Sequence, residues 1–340
     1  MKAILHERYG PLEEVLQPKE VEKPIPNDSQ VLVEVFAASV NIADLFRTSS
    51  RLGRFLGGGL RRPKDQRVGR DIAGRVESVG SKVARFRPGD KVFGSCVGGF
   101  AEYALAQADR LASIPVNVSF EDASAVPVAG ITALQGLRDR GRIQAGQNVL
   151  VNGASGGVGT FAVQIAKSFG AQVTAVCSTK NQEQARSIGA DQVIDYTNED
   201  FTRNGRTYDI IFDIAGNRSI SDYKRALKPN GICVVAGFSK NPLRRLMKVL
   251  LLGRLWPTGS KKILFMGIAK VNSEDLAFLA ELLESGKVMP VIERRYSLGE
   301  AGQALRYLSQ RHARGKIVIL VKGTNGASVD SESRKPGVRP

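Results

Sequence analysis

The segment Val149–Gly159, with the sequence VLVNGASGGVG, constrains the fold of this 340-residue chain more than any other. An apolar run leads into a glycine-dense turn, and apolar residues then recur at helical spacing as far as Phe169. Ala154, Gly156 and Gly159 occupy the small-residue positions of the dinucleotide fingerprint G-x-G-x-x-G, with alanine replacing the first glycine. The segment therefore predicts a strand, a phosphate-binding loop and a helix whose N-terminus binds a pyrophosphate.

The small residues of this loop have separate physical roles. Gly153 and Ala154 permit a tight turn, Gly156 lets the backbone approach the pyrophosphate, and the last glycine lets the helix pack against its strand. The loop residues that we expect to bind the dinucleotide are Ala154, Ser155, Gly156, Gly157, Val158 and Gly159. The alternative is an ordinary glycine-rich turn within an α/β domain.

The segments that follow favour the dinucleotide interpretation. Short β-branched and apolar runs predict strands at Gln172–Ser178, Gln192–Asp195 and Asp209–Ile214, and the polar segment Asn181–Ile188 predicts a helix between the first two. A fifth and a sixth strand are predicted at residues 231–237 and 263–267. This alternation predicts a doubly wound α/β sheet.

The end of the second strand indicates which cofactor is preferred. Enzymes that prefer NAD carry Asp or Glu there, roughly 20 residues past the glycines, to bind the ribose 2′-hydroxyl. Here the strand ends in Ser178, Thr179 and Lys180, and no carboxylate follows it. Two hydroxyls and an ammonium are therefore expected to bind the 2′-phosphate of NADPH. The alternative is that Lys180 is a solvated lysine at a helix start.

Length and composition indicate a globular protein of two domains, because 340 residues exceed the size at which one core keeps growing. Cys96, Cys177 and Cys233 form no CxxC pair, which argues against a disulfide framework or a structural zinc cluster and predicts a reducing, cytoplasmic compartment. The net charge of +16 favours phosphate-rich partners or anionic lipid surfaces. We find no secretory signal and no 18-residue apolar run that would span a membrane.

The first 124 residues have a different pattern. Short strands are predicted at Gln30–Ala37, Ile72–Val79 and Lys91–Gly94, and proline and glycine separate them throughout. This pattern predicts an antiparallel, partly barrel-like domain that precedes the dinucleotide-binding one.

Several motifs occur in a fixed order along the chain. They are SVNIADLFR at residues 39–47, Gly69-Arg70-Asp71 with AGRVESVG after it, RFRPGDKVFG, AVPVAGITALQGL at residues 125–137, and the AxGxxG loop. In these motifs the chain closely resembles the zinc-free quinone oxidoreductase branch of the medium-chain dehydrogenase/reductases, and the resemblance extends from Met1 to about Leu320.

The resemblance implies two domains with the active site in the cleft between them. Residues 1–123 and 271–323 are expected to form a mostly-β, GroES-like catalytic domain, to which the chain returns through a strand at Lys316–Val321. Residues 124–270 are expected to form a Rossmann domain. The polar residues 324–340 predict a disordered tail.

The resemblance also provides candidate site residues. Asn41 and Asp44, the candidate catalytic residues, match family positions at the nicotinamide end of the cleft. Thr132 matches a position that contacts the cofactor nearby, and Tyr196 matches one that helps to hold the 2′-phosphate beside Ser178 and Lys180. The alternatives are that Asn41 caps a turn, that Asp44 caps the following helix and that Thr132 packs within a helix. No residue is assigned as a general acid.

Zinc-dependent members of the superfamily bind their catalytic metal partly through a Gly-His-Glu segment, and Arg70 stands in place of that histidine. Arginine cannot serve as a ligand, and His6 and His312 lie outside the metal-binding motifs. We therefore expect no metal. Without a Lewis acid, the hydride acceptor must be intrinsically electrophilic, and a quinone or an α,β-unsaturated carbonyl compound meets that condition.

Two other functions stay open from the sequence. One is a zinc-free, NADPH-dependent carbonyl or alcohol dehydrogenase. The other is a nucleotide-sensing protein associated with a membrane or with RNA, although no aromatic RNA-binding signature accompanies the basic charge. We also expect a homodimer and regard nucleic acid as an improbable partner.

Two basic stretches predict reversible docking on anionic membranes. The first, between Arg47 and Arg70, has eight basic residues and one acid, and the second, Asn241–Lys262, has six and none. In the second, leucines at helical spacing lie opposite the basic residues. The alternative is an apolar helix that covers the cleft or a subunit interface. A capped helix follows at Ser273–Ser285, with Ser273 at its start and Gly286 just beyond its end.

Overall fold

The computed structural model describes residues 1–49, 63, 66–237 and 260–322. In chain order, the strands within these ranges are β1 Lys2–His6, β2 Leu16–Glu20, β3 Gln30–Ser39, β4 Asp71–Val79, β5 Lys91–Ser95, β6 Tyr103–Gln107, β7 Leu111–Ser113, β8 Asn148–Asn152, β9 Gln172–Cys177, β10 Gln192–Asp195, β11 Tyr208–Asp213, β12 Leu227–Val235, β13 Lys262–Phe265, β14 Ile292–Ser297 and β15 Lys316–Leu320. The α-helices are α1 Leu12–Val15, α2 Ile42–Ser49, α3 Phe120–Ser124, α4 Pro127–Gln135, α5 Gly157–Ser168, α6 Gln182–Ser187, α7 Ile220–Ala226, α8 Ser273–Glu284 and α9 Ala301–Ser309.

Six strands form a parallel sheet in the order β10-β9-β8-β11-β12-β13. The chain moves outward from β8 to β10 on one side and then crosses to β11 on the other, so the strand order reverses next to β8. In open α/β sheets, ligands bind at the carboxyl ends of the strands at such a reversal. The predicted doubly wound sheet is confirmed, and β8 carries the dinucleotide loop at this position.

A second sheet has seven strands and draws on both ends of the chain. Its order is β14-β15-β3-β4-β5-β7, and β6 also pairs with β3. The late strand β15 lies antiparallel to β3, with Val318 opposite Ser39 and Leu320 opposite Ala37. The chain therefore returns to its first sheet at the end, as expected. The proposed boundaries near residues 123 and 270 stay a prediction.

Apolar residues of both sheets contribute to one continuous core. Ala73 and Phe93 belong to the second sheet, and Val149 and Phe161 to the parallel sheet and its helix α5, yet all four are fully buried in the same cluster. Leu279 of α8 joins this cluster. Burial of apolar surface therefore holds the two sheets together.

Helix α8 begins at Ser273, as expected, but its cap is the residue before it. Its cap is Asn272, whose side chain accepts a hydrogen bond from the backbone N–H of Asp275 at 2.8 Å. Ser273 is the first helical residue and provides no cap. Gly286 lies beyond the helix end with φ of +67°, as a C-terminal glycine should.

Several of our expectations fall outside the described residues. These are most of the first basic stretch, residues 241–259 of the second, and the tail at 324–340. Among the helices that the structure does describe, none combines the length and the apolar character needed to cross a bilayer.

Candidate active site

The phosphate-binding loop lies at the carboxyl end of β8 and leads into α5. Gly153 has φ of +90°, a conformation that favours glycine, and its N–H and that of Ala154 both donate to Val176 O at 3.1 Å. The first helical hydrogen bond runs from Thr160 N to Gly156 O. The N–H groups just before Thr160 are therefore available to an anion at the helix N-terminus, as the fingerprint predicts.

The glycines of the loop differ in the space around them. A Cβ atom at Gly159 would lie 2.1 Å from Gly153 O, so helix α5 can approach its strand this closely only with glycine there. A Cβ at Gly156 would meet only Gly153 O, at 3.7 Å, which leaves its other side open. Gly159 thus serves packing, whereas the predicted approach of a pyrophosphate to Gly156 stays a prediction. Ser155, Gly157 and Val158 are half-buried beside it.

The residues predicted to hold the 2′-phosphate come together at the ends of β9 and β10. Cys177 pairs with Asp195 across these strands, and Tyr196 N donates to Cys177 O at 3.0 Å. Tyr196 is 54% exposed, Lys180 is exposed and Ser178 is half-buried. Their binding role stays a prediction, but the strand register places all three on one accessible corner.

A carboxylate also reaches this corner, contrary to our expectation. Asp195 is the last residue of β10, which lies beside β9 in the sheet. Its side chain accepts a hydrogen bond from Thr179 Oγ1 at 2.6 Å. Gln182, Thr197 and Asn198 also donate to it. The hydrogen bond from Thr179 is the main cause that lowers the pKa of Asp195. The Thr179 hydroxyl therefore gives its hydrogen to Asp195. Of the two hydroxyls that we predicted to bind the 2′-phosphate, only that of Ser178 stays a candidate.

Asn181 is a further residue at this corner that the sequence analysis did not single out. Its Nδ2 donates to Ser155 Oγ at 3.0 Å and to Ser178 Oγ at 3.2 Å. It therefore joins the phosphate loop to the end of β9. The only sequence signal was an asparagine at a helix start, which ordinarily indicates a cap.

Asn41 and Asp44 lie at the start of α2, and both side chains are buried. Asp44 Oδ2 accepts the backbone N–H of Asn41 at 2.9 Å, which is the helix-capping contact that we held as the alternative. Burial, followed by the negative charge of Asp71, raises the pKa of Asp44 from 3.8 to about 7. A catalytic role for the two residues stays a prediction, since the structure shows them in a buried cluster.

Asp71 and Lys316 complete this cluster, and the sequence analysis did not identify them as site residues. Lys316 Nζ donates to Asn41 Oδ1 at 2.7 Å and lies 3.5 Å from Asp71 Oδ2, which also accepts from Asn41 Nδ2 at 2.9 Å. Burial lowers the pKa of Lys316 and raises that of Asp71, and their mutual attraction opposes both shifts. A charged residue at the start of the apolar strand KIVIL was the available signal, since it needs a partner when buried.

This cluster joins the second sheet to helices α4 and α5. Asp71 Oδ1 accepts the backbone N–H of Val128 in α4 at 3.2 Å, and a Cβ at Gly157 would lie 3.1 Å from Lys316 Cδ. The lysine side chain therefore runs beside the first residue of α5. Thr132, also on α4, is half-buried and donates to Val128 O at 2.6 Å, which is the within-helix contact held as its alternative.

The histidines and cysteines lie in ordinary structural surroundings. His6 is buried with its ring against that of Tyr9, at a centroid distance of 5.3 Å, and His312 is exposed. The three cysteines are free and buried, and burial raises the pKa of Cys177 to about 11. In the described part of the chain, no three His, Cys, Asp or Glu residues form a group that could hold a metal ion.

Comparison with known proteins relates these features to described families. An alcohol dehydrogenase GroES-like domain model matches residues 27–116, and a zinc-binding dehydrogenase model matches residues 188–319. A chloroplastic quinone oxidoreductase of Triphysaria versicolor is 33% identical over 94% of this chain and 98% of its own length. An NADPH-dependent alkenal/one oxidoreductase of Arabidopsis thaliana is 33% identical over 94% of this chain and 79% of its own length.

Solved structures show the same arrangement. The quinone oxidoreductase of Coxiella burnetii superposes with a TM-score of 0.81 at 30% identity, over 95% of this chain and 99% of that one. The Escherichia coli quinone oxidoreductase, solved in complex with NADPH, gives a TM-score of 0.80 at 26% identity, over 94% of this chain and 100% of that one.

Proposed function

Because this chain belongs to the zinc-free, quinone oxidoreductase-like branch of the medium-chain dehydrogenase/reductase superfamily, we propose that it is an NADPH-dependent oxidoreductase that reduces a quinone or an α,β-unsaturated carbonyl compound. The observation that carries the proposal is the loop at the end of β8, which adjoins both the Ser178–Lys180–Tyr196 corner and the buried cluster around Lys316. We propose that these two neighbours hold the two ends of the dinucleotide.

The residues of this chain fit the cofactor. The N–H groups at the start of α5 and the open side of Gly156 suit a pyrophosphate, and the hydroxyl and ammonium of Ser178 and Lys180 suit a 2′-phosphate. Hydrogen bonds from several donors offset the charge of Asp195 at this corner. We therefore retain the NADPH preference.

When bound, NADPH supplies the hydride. The chain provides the rest: the cleft restricts water, and Asn41 is held between Lys316 and Asp71 in one fixed orientation. Asp44, with its pKa near 7, can hold or release a proton at its carboxyl group close to neutral pH. We propose Asn41 and Asp44 as the residues that act at the nicotinamide end, and Thr132 as a nearby cofactor contact.

The assembly and location are also proposals. Strand β13 forms one edge of the described parallel sheet, and an edge strand offers unpaired backbone groups to a second copy, which supports a homodimer. The three free cysteines support a reducing, cytoplasmic compartment, and the net charge of +16 supports docking on anionic membrane surfaces.

A panel of acceptors tests the function. Oxidation of NADPH is followed by absorbance with a quinone, an enone, a simple aldehyde and no acceptor, using the purified protein. We expect turnover with the quinone or the enone and little with the aldehyde. Turnover with the aldehyde alone would replace this proposal with a carbonyl or alcohol dehydrogenase.

A further inference from the structure

Asn181 lies between two serines that come from different cofactor-binding elements. Ser155 belongs to the loop after β8, and Ser178 follows β9. The asparagine is 7% exposed, so its amide is held in place by its surroundings. One Nδ2 group donates to both serine oxygens, at 3.0 Å and 3.2 Å.

This arrangement decides the direction in which the serine hydroxyls donate. A hydroxyl has one hydrogen to donate, and each serine oxygen here uses a lone pair to accept from Asn181. The hydrogens of Ser155 and Ser178 therefore stay available, and neither hydroxyl donates to another group within the described ranges. Thr179, by contrast, gives its hydrogen to Asp195.

The oxygen of this amide differs from its nitrogen. Asn181 Oδ1 is buried and has no hydrogen-bond partner among the residues that the structure describes. A buried acceptor without a partner is unfavourable, because it has lost its hydrogen bonds to water. Since Nδ2 is fully engaged with the two serines and Oδ1 has no partner in the described part of the chain, the amide is held in this orientation by Ser155 and Ser178.

We propose that Asn181 is a positioning residue for cofactor selectivity, which turns the hydroxyl hydrogens of Ser155 and Ser178 toward the phosphate-bearing ribose of NADPH. The inference rests on the proposed function, because it assumes that NADPH binds at this corner. It adds a residue that influences the preference for NADPH by orienting the serines, and not by contacting the cofactor itself. Since Asp195 brings a negative charge to the same corner, two oriented donors are needed to favour a phosphate there.

Substitution of Asn181 by aspartate tests this orientation. A carboxylate only accepts hydrogen bonds, so both serine hydrogens would turn inward, and its charge would repel a 2′-phosphate. We expect the dissociation constant of NADP⁺ to rise by about tenfold or more, and that of NAD⁺ to change by less than about threefold. Calorimetric titration of the purified protein without acceptor measures both constants.

Two further variants make the test specific. Gln184→Glu makes the same amide-to-carboxylate change on α6, where the side chain contacts Arg314 O and neither serine, and it should change both constants by less than about threefold. If Asn181→Asp acts through Ser178, its effect on NADP⁺ should shrink when combined with Ser178→Ala. The Ser178→Ala variant alone should weaken NADP⁺ selectively, which keeps the test valid if Asn181→Asp does not fold.

The outcomes separate this inference from the proposed function. Equal losses of NADP⁺ and NAD⁺ affinity in Asn181→Asp, or an NADP⁺ affinity that Ser178→Ala leaves unchanged, would overturn the positioning role alone. Failure of the unsubstituted protein to bind NADP⁺ would overturn the NADPH assignment together with it. Binding of NADP⁺ without turnover of any acceptor would remove the proposed reaction and leave the role of Asn181 standing.

Discussion

At the scale of single residues, Lys316 and Asp71 form a buried pair of opposite charges in the candidate site. Lys316 is 3% exposed and Asp71 is fully buried, so each depends on the other for its charge to be tolerated. We expect Lys316→Met to lower the free energy of unfolding by about 3–5 kcal/mol, because it leaves Asp71 without its counter-charge. Denaturant unfolding measures the loss.

The double variant Lys316→Met with Asp71→Asn serves as the control for this prediction. It removes both charges and should recover part of the lost stability. If the free energy of unfolding of Lys316→Met lay within about 1 kcal/mol of that of the unsubstituted protein, Lys316 and Asp71 would not form a buried ion pair.

Asp44 makes a separate residue-scale prediction about pH. Its folded pKa of about 7 exceeds its ordinary value of 3.8, so the folded state holds a proton that the unfolded state releases between these values. The contribution of Asp44 to stability is therefore present below about pH 4 and is lost as the pH rises to about 7. Asp44→Asn should accordingly gain in melting temperature relative to the unsubstituted protein over this interval.

Asp109→Asn makes the same substitution at an exposed position in the short 3₁₀ helix Ala108–Arg110, and as the matched control it should change the melting temperature little. A constant difference between Asp44→Asn and the unsubstituted protein from about pH 4 to about pH 7 would contradict the raised pKa.

At the scale of elements, the contact between β8 and α5 separates two roles of glycine. Gly159→Ala should destabilise the fold by roughly 1–3 kcal/mol, since its Cβ would lie 2.1 Å from Gly153 O. Gly156→Ala should leave stability nearly unchanged, because its Cβ would meet only Gly153 O at 3.7 Å, and should weaken NADP⁺ binding if the pyrophosphate approaches its open side as we propose. Thermal unfolding and titration measure the two effects.

Gly299→Ala is the control for this pair, because no atom lies within 4 Å of its added Cβ. It should change the free energy of unfolding by less than about 1 kcal/mol, and it should leave NADP⁺ binding unchanged. The same loss of stability in Gly156→Ala and Gly159→Ala would argue against separate roles.

The elements themselves could be predicted closely, because their signals are local. The sequence predicted β10 with its observed bounds and β9 and β11 to within one residue, since alternating and apolar runs report strands directly. The helix cap at Asn272 was missed by one position, because Ser273 and Asn272 are both good capping residues.

Contacts between distant elements could not be predicted in the same way. Thr179 meets Asp195, and Lys316 meets Asp71, only because the sheet register brings strand ends together. The hydrophobic pattern of a strand shows which face is buried. It does not show which residues of another strand, joined through a distant connection, will lie beside it. The candidate residues were therefore found by resemblance, whereas their partners became visible only in the folded chain.

At the scale of the whole molecule, the sheet that draws on both chain ends packs against the parallel sheet and its helices. The hydrogen bond from Ser39 Oγ to Ser124 O, at 2.8 Å, joins the two parts beside the cluster of Asp71 and Lys316. The architecture thus places fixed polar groups beside the cofactor loop. Arg70 stands where zinc-dependent members of the superfamily have a histidine.

Metal independence is the prediction that belongs to this scale. Since Arg70 stands where zinc-dependent relatives carry a ligand, treatment with a strong chelator should leave the rate of NADPH oxidation within about twofold of the untreated rate. Stoichiometric zinc in the purified protein, with activity lost on its removal and restored on its return, would count decisively against the zinc-free mechanism.

Transfer of a deuterium label tests the central claim most directly. NADPH carrying deuterium at one or the other face of nicotinamide C4 is incubated with the protein and an enone, and the product is analysed by mass spectrometry and NMR. The account predicts that one of the two labelled cofactors gives a product with deuterium bonded to the β-carbon. A saturated product without deuterium from either cofactor, or a label found only on a carbinol carbon, would contradict hydride transfer to the conjugated system.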